Sequence, residues 1–377
     1  MKKILLFGME NITPKVLKLL FGNEKGVLEN YGFIGFVDNV RKQKNFMGLP
    51  VFLPAEVKNM EFDKIVITDR DKIQDPVDYN IIHDELAYGY GFGADRVTDI
   101  KYLINIKLID DLHNGKIQDA EMEQTVRQIE TLNDFDLWCG YCPKPEEKYE
   151  VTWDEDSSMP YAMFEGKKIF FPRNIILKEI DGKQYVEGLE FEQQSGSPHT
   201  YITDEICIKE GDVVVDAGVQ QGNFALKYID KVSKLYLIES DPRWIAALRM
   251  TFKDYMNKVE IVPKFLGNVN DGKTVTLDKL VGNERVDFIK MDIEGAEIDA
   301  LKGSKNVFLN NDIRCSICSY HKHGDEKNIK EILGSYGYAT TTSNGHMFFE
   351  FDRDLFMRYE PRHGIVYGKK GSFSESK

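Results

Sequence analysis

Short apolar runs alternate with amphipathic stretches through residues 213–342 of this chain. The runs are rich in β-branched and aromatic residues and too short to be helices, which is typical of buried parallel strands. The predicted strands lie at 213–215, 235–238, 259–262, 286–291 and 313–319, with a closing antiparallel pair at 338–342 and 346–351. Between the strands, apolar residues recur at helical spacing, as Trp244 and Leu248 do after a capped helix start at Asp241. This alternation predicts an α/β fold with a seven-strand doubly wound, Rossmann-like sheet.

The first part of the chain repeats the alternation on a smaller scale. Apolar strands are predicted at 2–7, 33–37 and 64–68. Thr13 caps a helix that has Pro14 at its first position, so a second, smaller α/β domain is expected. After Gly8, however, Glu10 and Thr13 stand where a dinucleotide fingerprint has glycines, and a carboxylate there would repel a pyrophosphate. The sequence therefore favours a structural or interaction role for this domain and leaves its ligand open.

The length of the chain, 377 residues, exceeds the ~250–300 residues at which single hydrophobic cores stop growing. We therefore expect a Rossmann-like accessory domain at 1–115, a helical connector and linker at 116–156, and a C-terminal α/β domain at 157–377. Two hairpins open the C-terminal domain, 162–171 about Gly166 and 175–186 about Asp181-Gly182. They predict a β-hairpin lead-in to the parallel sheet.

Charge and hydropathy limit the partners and the setting. The formal net charge of -13 argues against a nucleic-acid partner, which requires a basic face. No apolar run approaches the ~20 residues of a transmembrane segment. Five cysteines in a chain this long do not make a disulfide scaffold, so a cytoplasmic, reducing location is expected. Association into a homo-oligomer stays open.

Two C-x-x-C pairs suggest a zinc site at first sight: Cys139 with Cys142, and Cys315 with Cys318. The second pair falls on a predicted strand, however, where odd spacing sends its members to opposite faces. We therefore expect these cysteines to behave as small buried hydrophobic residues rather than as four thiolate ligands.

Polar side chains follow the predicted strands of the C-terminal domain at their carboxyl ends. They are Asp216, Glu239, Asp292, Glu294 and His321. Ligands of an open parallel sheet bind at this edge, so we expect the five residues to line one site. Asp216 lies in a Gly-rich turn, 211–222, whose backbone N–H groups would face a ligand beside a helix N-terminus. Its carboxylate suits a ligand with an ammonium or sulfonium charge better than a pyrophosphate.

The chain resembles the FkbM family of S-adenosylmethionine-dependent methyltransferases in three segments. They are G-D-V-V-V-D-A-G-V-Q-Q-G at 211–222, L-I-E-S-D-P at 237–242 and F-I-K-M-D-I-E-G-A-E at 288–297. The resemblance covers roughly 192–367 and includes E-Q-Q-S-G-S-P-H-T-Y and S-Y-H-K-H-G-D. The first segment departs slightly from the family's common G-A-x-x-G, but both glycines are kept. The N-terminal domain looks like the nucleotide-binding-type domains of some polysaccharide-biosynthesis proteins.

The resemblance implies S-adenosylmethionine as cofactor, and the strand ends give the assignment a physical basis. Glu239, one strand–helix–strand unit after Asp216, is placed to accept hydrogen bonds from both ribose hydroxyls. Asp216 would stabilise the charged end of the cofactor. The predicted cofactor-binding residues are Asp216, Gly218, Gln220, Gly222, Asn223, Glu239, Ser240 and Asp292.

Methyl transfer to a hydroxyl group needs a base beside the methyl carbon. His321 is the first candidate because its ordinary pKa suits the role. Asp292 and Glu294 are the others; they would orient the acceptor, act as base, or hold a divalent metal through oxygen ligands, although no metal ligand is assigned firmly. The structural alternative for both carboxylates is a favourable charge near the following helix N-terminus. His199, Tyr201 and Lys322 are predicted to contact the substrate.

The functional hypothesis is an S-adenosylmethionine-dependent O-methyltransferase that acts on a sugar hydroxyl of a glycan or glycoside. The small-molecule or glycan acceptor is implied by the family, not by residues. Two alternatives stay open: methylation of another small hydroxylated or carboxylate metabolite, and a non-catalytic binding protein of glycan assembly.

Overall fold

The computed structural model describes residues 2–9, 13–22, 25–40, 43–68, 76–132, 150–173, 192–348 and 360–374. The chain divides into two compact units, Met1–Gly140 with Glu350–Glu360, and Tyr141–Phe349 with Pro361–Lys377. Within the described ranges, no helix has both the length and the apolar character needed to cross a bilayer. The domain boundaries at 115 and 156 stay predictions.

The first unit is built on a six-stranded sheet. Its strands are β1 Ile4–Phe7, β2 Phe33–Val37, β3 Asn45–Phe46, β4 Leu49–Phe52, β5 Lys64–Ile67 and β6 Val97–Asp99, in the order β3-β4-β2-β1-β5-β6. Its helices are α1 Thr13–Phe21, α2 Lys25–Asn30, α3 Pro54–Val57, α4 Pro76–Asp84, α5 Lys101–His113 and α6 Ala120–Leu132. All strand pairs except β3–β4 are parallel. Helix α6, which falls in the predicted connector, packs against α5.

The second unit opens with a three-stranded antiparallel sheet. It consists of β7 Thr152–Asp154, β8 Met159–Phe164 and β9 Lys167–Phe170. Strands β8 and β9 form the predicted hairpin about Gly166, which takes the left-handed conformation that glycine favours. The second predicted hairpin, 175–186, lies outside the described residues.

A seven-stranded sheet forms the rest of the second unit and confirms the predicted fold class. Its strands are β10 Val213–Ala217, β11 Lys234–Ile238, β12 Val259–Val262, β15 Phe288–Met291, β16 Arg314–Cys318, β17 Ala339–Thr342 and β18 Ile365–Lys369. The order is β12-β11-β10-β15-β16-β18-β17, with β18 antiparallel to both of its neighbours. A separate short pair, β13 Phe265–Leu266 and β14 Thr274–Val275, follows β12.

The closing strand differs from the prediction. Sequence alternation placed it at 346–351, whereas β18 at 365–369 fills that position in the sheet. Met347 forms only an isolated bridge with Arg362. The apolar side chains of Met347 and Phe348 are buried without belonging to the main sheet, so their burial, and not strand pairing, explains the apolar pattern there.

Helices connect the parallel strands of this sheet. They are α7 Asn223–Tyr228, α8 Pro242–Thr251, α9 Leu277–Val281, α10 Glu297–Lys302, α11 Lys305–Asn310 and α12 Asp325–Ser335. Asp241 caps α8 by accepting from the backbone of Arg243, as the sequence predicts. The central strands are buried over almost their whole length, which is expected of parallel strands covered on both faces. Because β10, β11, β15 and β16 run parallel, their carboxyl ends share one edge.

Candidate active site

The Gly-rich turn between β10 and α7 packs closely against the end of β15. Gly218 has a φ of 76°, and a Cβ atom there would lie 1.6 Å from the carbonyl oxygen of Asp292. At Gly222 the same added atom would lie 2.8 Å from the side chain of Leu248 on α8. Both predicted glycines are therefore required by close contacts within the protein, with the end of β15 at Gly218 and with α8 at Gly222.

Glu239 reaches this turn from the end of β11. Its carboxylate accepts from the backbone N–H of Gln220 at 2.9 Å, and from those of Ser240 and Asp241 at 2.7 and 2.8 Å. The side chain is only partly buried. The structure thus brings Gln220, Glu239 and Ser240 together, with the Glu239 carboxylate at the end of β11, the next strand along the chain after the β10 turn.

Asp216 has a partner that sequence reasoning missed. Its carboxyl group is fully buried and lies 3.1 Å from the ammonium of Lys290 on β15, which also donates to the carbonyl of Gly218 at 2.7 Å. Burial raises the pKa of Asp216, whereas the Asp216 charge raises the pKa of Lys290 against the opposing effect of burial. Lys290 therefore ties strand β15 to the turn. The available signal was a lysine inside the apolar strand F-I-K-M.

Asp292, at the end of β15, is the centre of a buried polar cluster. Its carboxylate accepts from the hydroxyl of Tyr201 at 2.6 Å and from that of Tyr320 at 3.2 Å. The Nε2 atoms of His199 and His321 lie 3.5 and 3.4 Å from it. Burial acts against ionisation, but the hydrogen bond and charge of His199 outweigh it and hold the pKa of Asp292 well below its usual value.

His321 lies deeper than its place at a strand end suggested. Its side chain is 1% exposed, with Nδ1 at 3.1 Å from Glu297 and Nε2 at 3.6 Å from Glu294. Burial alone would lower the pKa of His321, but the hydrogen bond to Glu297 and the surrounding carboxylates raise it.

Glu297 also escaped sequence reasoning. It is fully buried, accepts from the backbone N–H of Ile293 at 2.9 Å, and holds His321. Its signal was the second glutamate of D-I-E-G-A-E, where a charged residue starts a helix that packs in the core.

Glu294 faces the outside of the site. Its side chain is 80% exposed, and its φ of 55° turns the loop at the end of β15. Desolvation at the rim raises the pKa of Glu294, and the neighbouring carboxylates of Asp292 and Glu297 add to the rise against the charge of His321. Of the three predicted catalytic residues, Glu294 is thus the most accessible and the carboxyl group with the raised pKa.

The remaining predicted residues lie around the same edge. Asn223 begins α7 directly after the turn. The ammonium group of Lys322 donates a hydrogen bond to the carbonyl of Gly295, and this bond anchors Lys322 beside the Glu294 loop. His199 lies 5.0 Å, centroid to centroid, from the ring of Tyr201. The turn, Glu239, Asp292 and Lys322 therefore follow the carboxyl ends of neighbouring strands, whereas His199 and Tyr201 lie beside Asp292 without being at a strand end. That these residues form one binding site stays a prediction.

The groups with metal-ligand geometry at this edge include Asp292 but not Glu294, the other member of the predicted pair. Among the described residues, Asp292, Glu297 and His321 form one group whose potential ligand atoms lie within 4.8 Å of one another, and His199, Asp292 and Cys318 form another. Cys315 and Cys318 are both buried on β16, and Cys139 and Cys142 lie outside the described residues. Metal binding stays a prediction that a strong chelator tests.

Family comparison assigns the second unit. Residues 178–348 match the family described as Methyltransferase FkbM domain. The chain therefore carries an FkbM methyltransferase domain. The resemblance read from its motifs is confirmed, and the domain is of the S-adenosylmethionine-dependent type. Residues 1–83 match a separate family described as C2185-like, N-terminal.

Individual proteins resemble the chain more remotely. A probable ribosomal RNA small subunit methyltransferase A of Methanococcoides burtonii is 34% identical over 82 residues, which are 22% of this chain and 29% of that relative. The solved structure of methyltransferase FkbM from Methylobacillus flagellatus is 15% identical, with a TM-score of 0.41 and coverage of 97% of this chain and 90% of that one. Magnesium protoporphyrin IX methyltransferase from Synechocystis, with bound SAM, has a TM-score of 0.29 at 15% identity and covers 43% of this chain and 71% of its own. At these TM-scores the structural likenesses carry no part of the functional argument.

Three of the predicted cofactor-binding residues lie close together in the FkbM domain, and their role stays a prediction. The turn at Gly218 leaves no room for a side chain because the carbonyl of Asp292 lies against it. Glu239 supplies a partly accessible carboxylate beside that turn, suited to hydroxyl donors of a ribose. Lys290 forms an ion pair with the buried Asp216 at the start of the turn. These residues would hold S-adenosylmethionine.

The protonation of His199 in the FkbM domain makes stability depend on pH. Hydrogen bonds and charges from Asp292 and Glu192 raise the pKa of His199 to about 9, against the effect of burial. Because the folded-state pKa is above the unfolded one, this stabilisation is complete below about pH 6.5 and is lost as pH rises through about 9. We expect the advantage of the wild type over His199→Gln in free energy of unfolding to shrink by up to about 3 kcal/mol across that window.

Urea unfolding of the two proteins at a series of pH values measures this difference directly. A difference that stays constant from about pH 6 to about pH 10 would contradict a protonated His199.

Proposed function

We propose that the FkbM domain methylates a hydroxyl oxygen, and that the hydroxyl belongs to a sugar of a glycan or glycoside. The observation that carries the proposal is Glu294: an accessible carboxylate at the same sheet edge as the Gly218 turn, with Nε2 of His321 3.6 Å away. A hydroxyl group is a poor nucleophile until a base removes its proton, so a site for this reaction needs such a group. Transfer to an already ionised acceptor would not need it.

The chemistry divides between cofactor and protein. Bound S-adenosylmethionine supplies an electrophilic methyl carbon, so that the O–CH₃ bond forms as the S–CH₃ bond breaks, leaving S-adenosylhomocysteine. Glu294 accepts the proton of the acceptor hydroxyl. A carboxyl group of raised pKa is the stronger base, which favours Glu294 over the strongly acidic Asp292.

The other residues act by position. Tyr201 and Tyr320 fix the Asp292 carboxylate, which orients the acceptor. His321 lies 3.1–3.6 Å from three carboxylates, and these contacts fix the positions of Glu294 and Asp292. His321 is therefore assigned a positioning role rather than that of the base. Lys322, anchored on Gly295, is placed to contact the substrate.

Methyl incorporation from labelled S-adenosylmethionine tests the acceptor class. We expect label in members of a panel of glycosides, oligosaccharides and nucleotide sugars, in an alkali-stable ether linkage. Label found only in a carboxylic acid, as a base-labile ester, or only in an RNA would overturn the proposal. If methyl transfer persists in the presence of a strong chelator, the reaction does not require a divalent metal.

A further inference from the structure

A cavity of about 370 Å³ lies between α7 and the segment 193–202 of the FkbM domain. Its polar lining residues are Gln193, Gln194, Ser195, Thr200 and Asn223. Three aromatic residues, Phe164, Phe224 and Tyr228, complete the described wall together with Ile202 and Lys227. The volume is at the small end of the ~300–1,000 Å³ typical of small-ligand pockets.

The cavity lies nearer to Asp292 than to Glu239, the residue predicted to bind the ribose of the cofactor. The segment 193–202 is bonded to the β15–β16–β18 half of the sheet, since Ser316 on β16 donates to the carbonyl of Tyr201 and Tyr367 on β18 donates to that of Thr200. Glu239 ends β11, which lies on the other side of β10. The cavity is therefore on the Asp292 side of the turn.

Tyr201 connects the cavity to the Asp292 cluster. Its ring packs against the cavity residue Phe224 at 5.4 Å between centroids, and its hydroxyl donates to Asp292 at 2.6 Å. A ligand in the cavity is thus separated from the catalytic edge by one shared wall. Gln193 shapes this wall, because its amide bridges the carbonyl of His199 and the N–H of Tyr201.

The lining has the chemistry of a site for uncharged hydroxyl groups. Amide and hydroxyl side chains donate and accept hydrogen bonds at once, as each sugar hydroxyl does. Aromatic rings present a negative face to the C–H groups of a sugar ring. Among the described lining residues only Lys227 carries a charge, and it pairs with Glu165 at 3.1 Å in an exposed position. A phosphate or carboxylate would find little compensation here.

We infer that this cavity binds a part of the acceptor next to the methylated hydroxyl, beyond the Tyr201 wall, and that this part is uncharged and rich in hydroxyl groups; the inference rests on the proposed methyl transfer. Gln194 and Tyr228 are then specificity-determining residues, one for hydroxyl groups and the other for the face of the ring. The segment E-Q-Q-S-G-S-P-H-T-Y thereby gains a role in acceptor choice.

Kinetics of Gln194→Leu test the inference. We expect the KM for a labelled neutral glycoside acceptor to rise about ten-fold, the loss expected for one or two hydrogen bonds, while kcat and the Kd for S-adenosylmethionine stay unchanged. Tyr228→Leu is expected to act in the same way. The matched control is Asn257→Leu, an exposed amide in the turn before β12, which should leave KM, kcat and the Kd for S-adenosylmethionine unchanged.

Saturation-transfer NMR with wild-type protein and a set of methyl glycosides gives a readout independent of turnover and of variant folding. Glycoside binding in the presence of S-adenosylmethionine, with sugar phosphates no tighter, supports the inference. The inference is overturned if only acidic ligands bind, or if Gln194→Leu raises the Kd for S-adenosylmethionine, because the cavity would then belong to the cofactor. Failure of the proposed function looks different: wild-type protein would bind no S-adenosylmethionine or transfer no methyl group.

Discussion

Gly218→Ala is expected to abolish binding of S-adenosylmethionine and to lower the free energy of unfolding by about 2–5 kcal/mol. The added methyl group would lie 1.6 Å from the carbonyl of Asp292, at a φ of 76° that L-residues avoid. Relief requires β15 and the turn to move apart. That movement would also break the hydrogen bond from Lys290 to the Gly218 carbonyl.

Gly272→Ala is the matched control, because a Cβ there meets nothing within 4 Å and the backbone has no positive φ. Urea unfolding gives the stability of both variants, and calorimetry gives their cofactor affinity. A Gly218→Ala protein of unchanged stability and affinity would show that the turn does not hold the cofactor in the close-packed form described above.

Glu294→Gln is expected to reduce kcat by roughly 10²–10⁴, the range of general-base contributions, with the Kd for S-adenosylmethionine unchanged. The amide keeps the size of the side chain and cannot accept the proton. Since the Glu294 side chain is 80% exposed, the substitution should leave stability almost unaffected. Single-turnover measurements with labelled cofactor separate the chemical step from product release.

Glu260→Gln, at a half-exposed carboxylate on β12, is the control for loss of one negative charge. His321→Gln distinguishes the two candidate bases. We expect it to retain more turnover than Glu294→Gln, because His321 acts through the carboxylates around it. Full activity in Glu294→Gln together with an inactive, folded His321→Gln would return the role of base to His321.

The fold was predictable because its signals are local. Buried parallel strands are continuous apolar runs, and the capped start at Asp241 is visible in the sequence itself. The closing strand was not predictable in the same way. Residues 346–348 are as apolar as β18, and the choice between them depends on which segment reaches the free edge of β16, a long-range property.

The sequence predicts which edge of the sheet carries the polar residues, but not the contacts that these residues make with one another. Strand ends identified Asp216, Glu239, Asp292 and Glu294 by position alone. The partners Lys290 and Glu297 come from inside a strand and from a helix start, so only the folded chain brings them to Asp216 and His321. The burial of these side chains also depends on the folded chain. The sequence gives no indication that His321 is enclosed by carboxylates while Glu294 stays accessible.

The first unit shows a further limit of local patterns. Its parallel strands β1, β2 and β5 agree with those predicted, and a nucleotide-binding half-fold has the same outline. Glu10, on which the expectation of no dinucleotide binding depends, lies outside the described residues. The absence of NAD binding therefore stays a prediction.

A calorimetric titration of S-adenosylmethionine into wild-type protein and Glu239→Ala tests directly whether the Gly218 turn and Glu239 of the FkbM domain form the cofactor site. We expect one site per chain in the wild type and a loss of affinity of roughly ten- to a hundred-fold in the variant, the effect of losing hydrogen bonds to a charged group. No heat of binding in the folded wild type, or equal affinity in the two proteins, would contradict it.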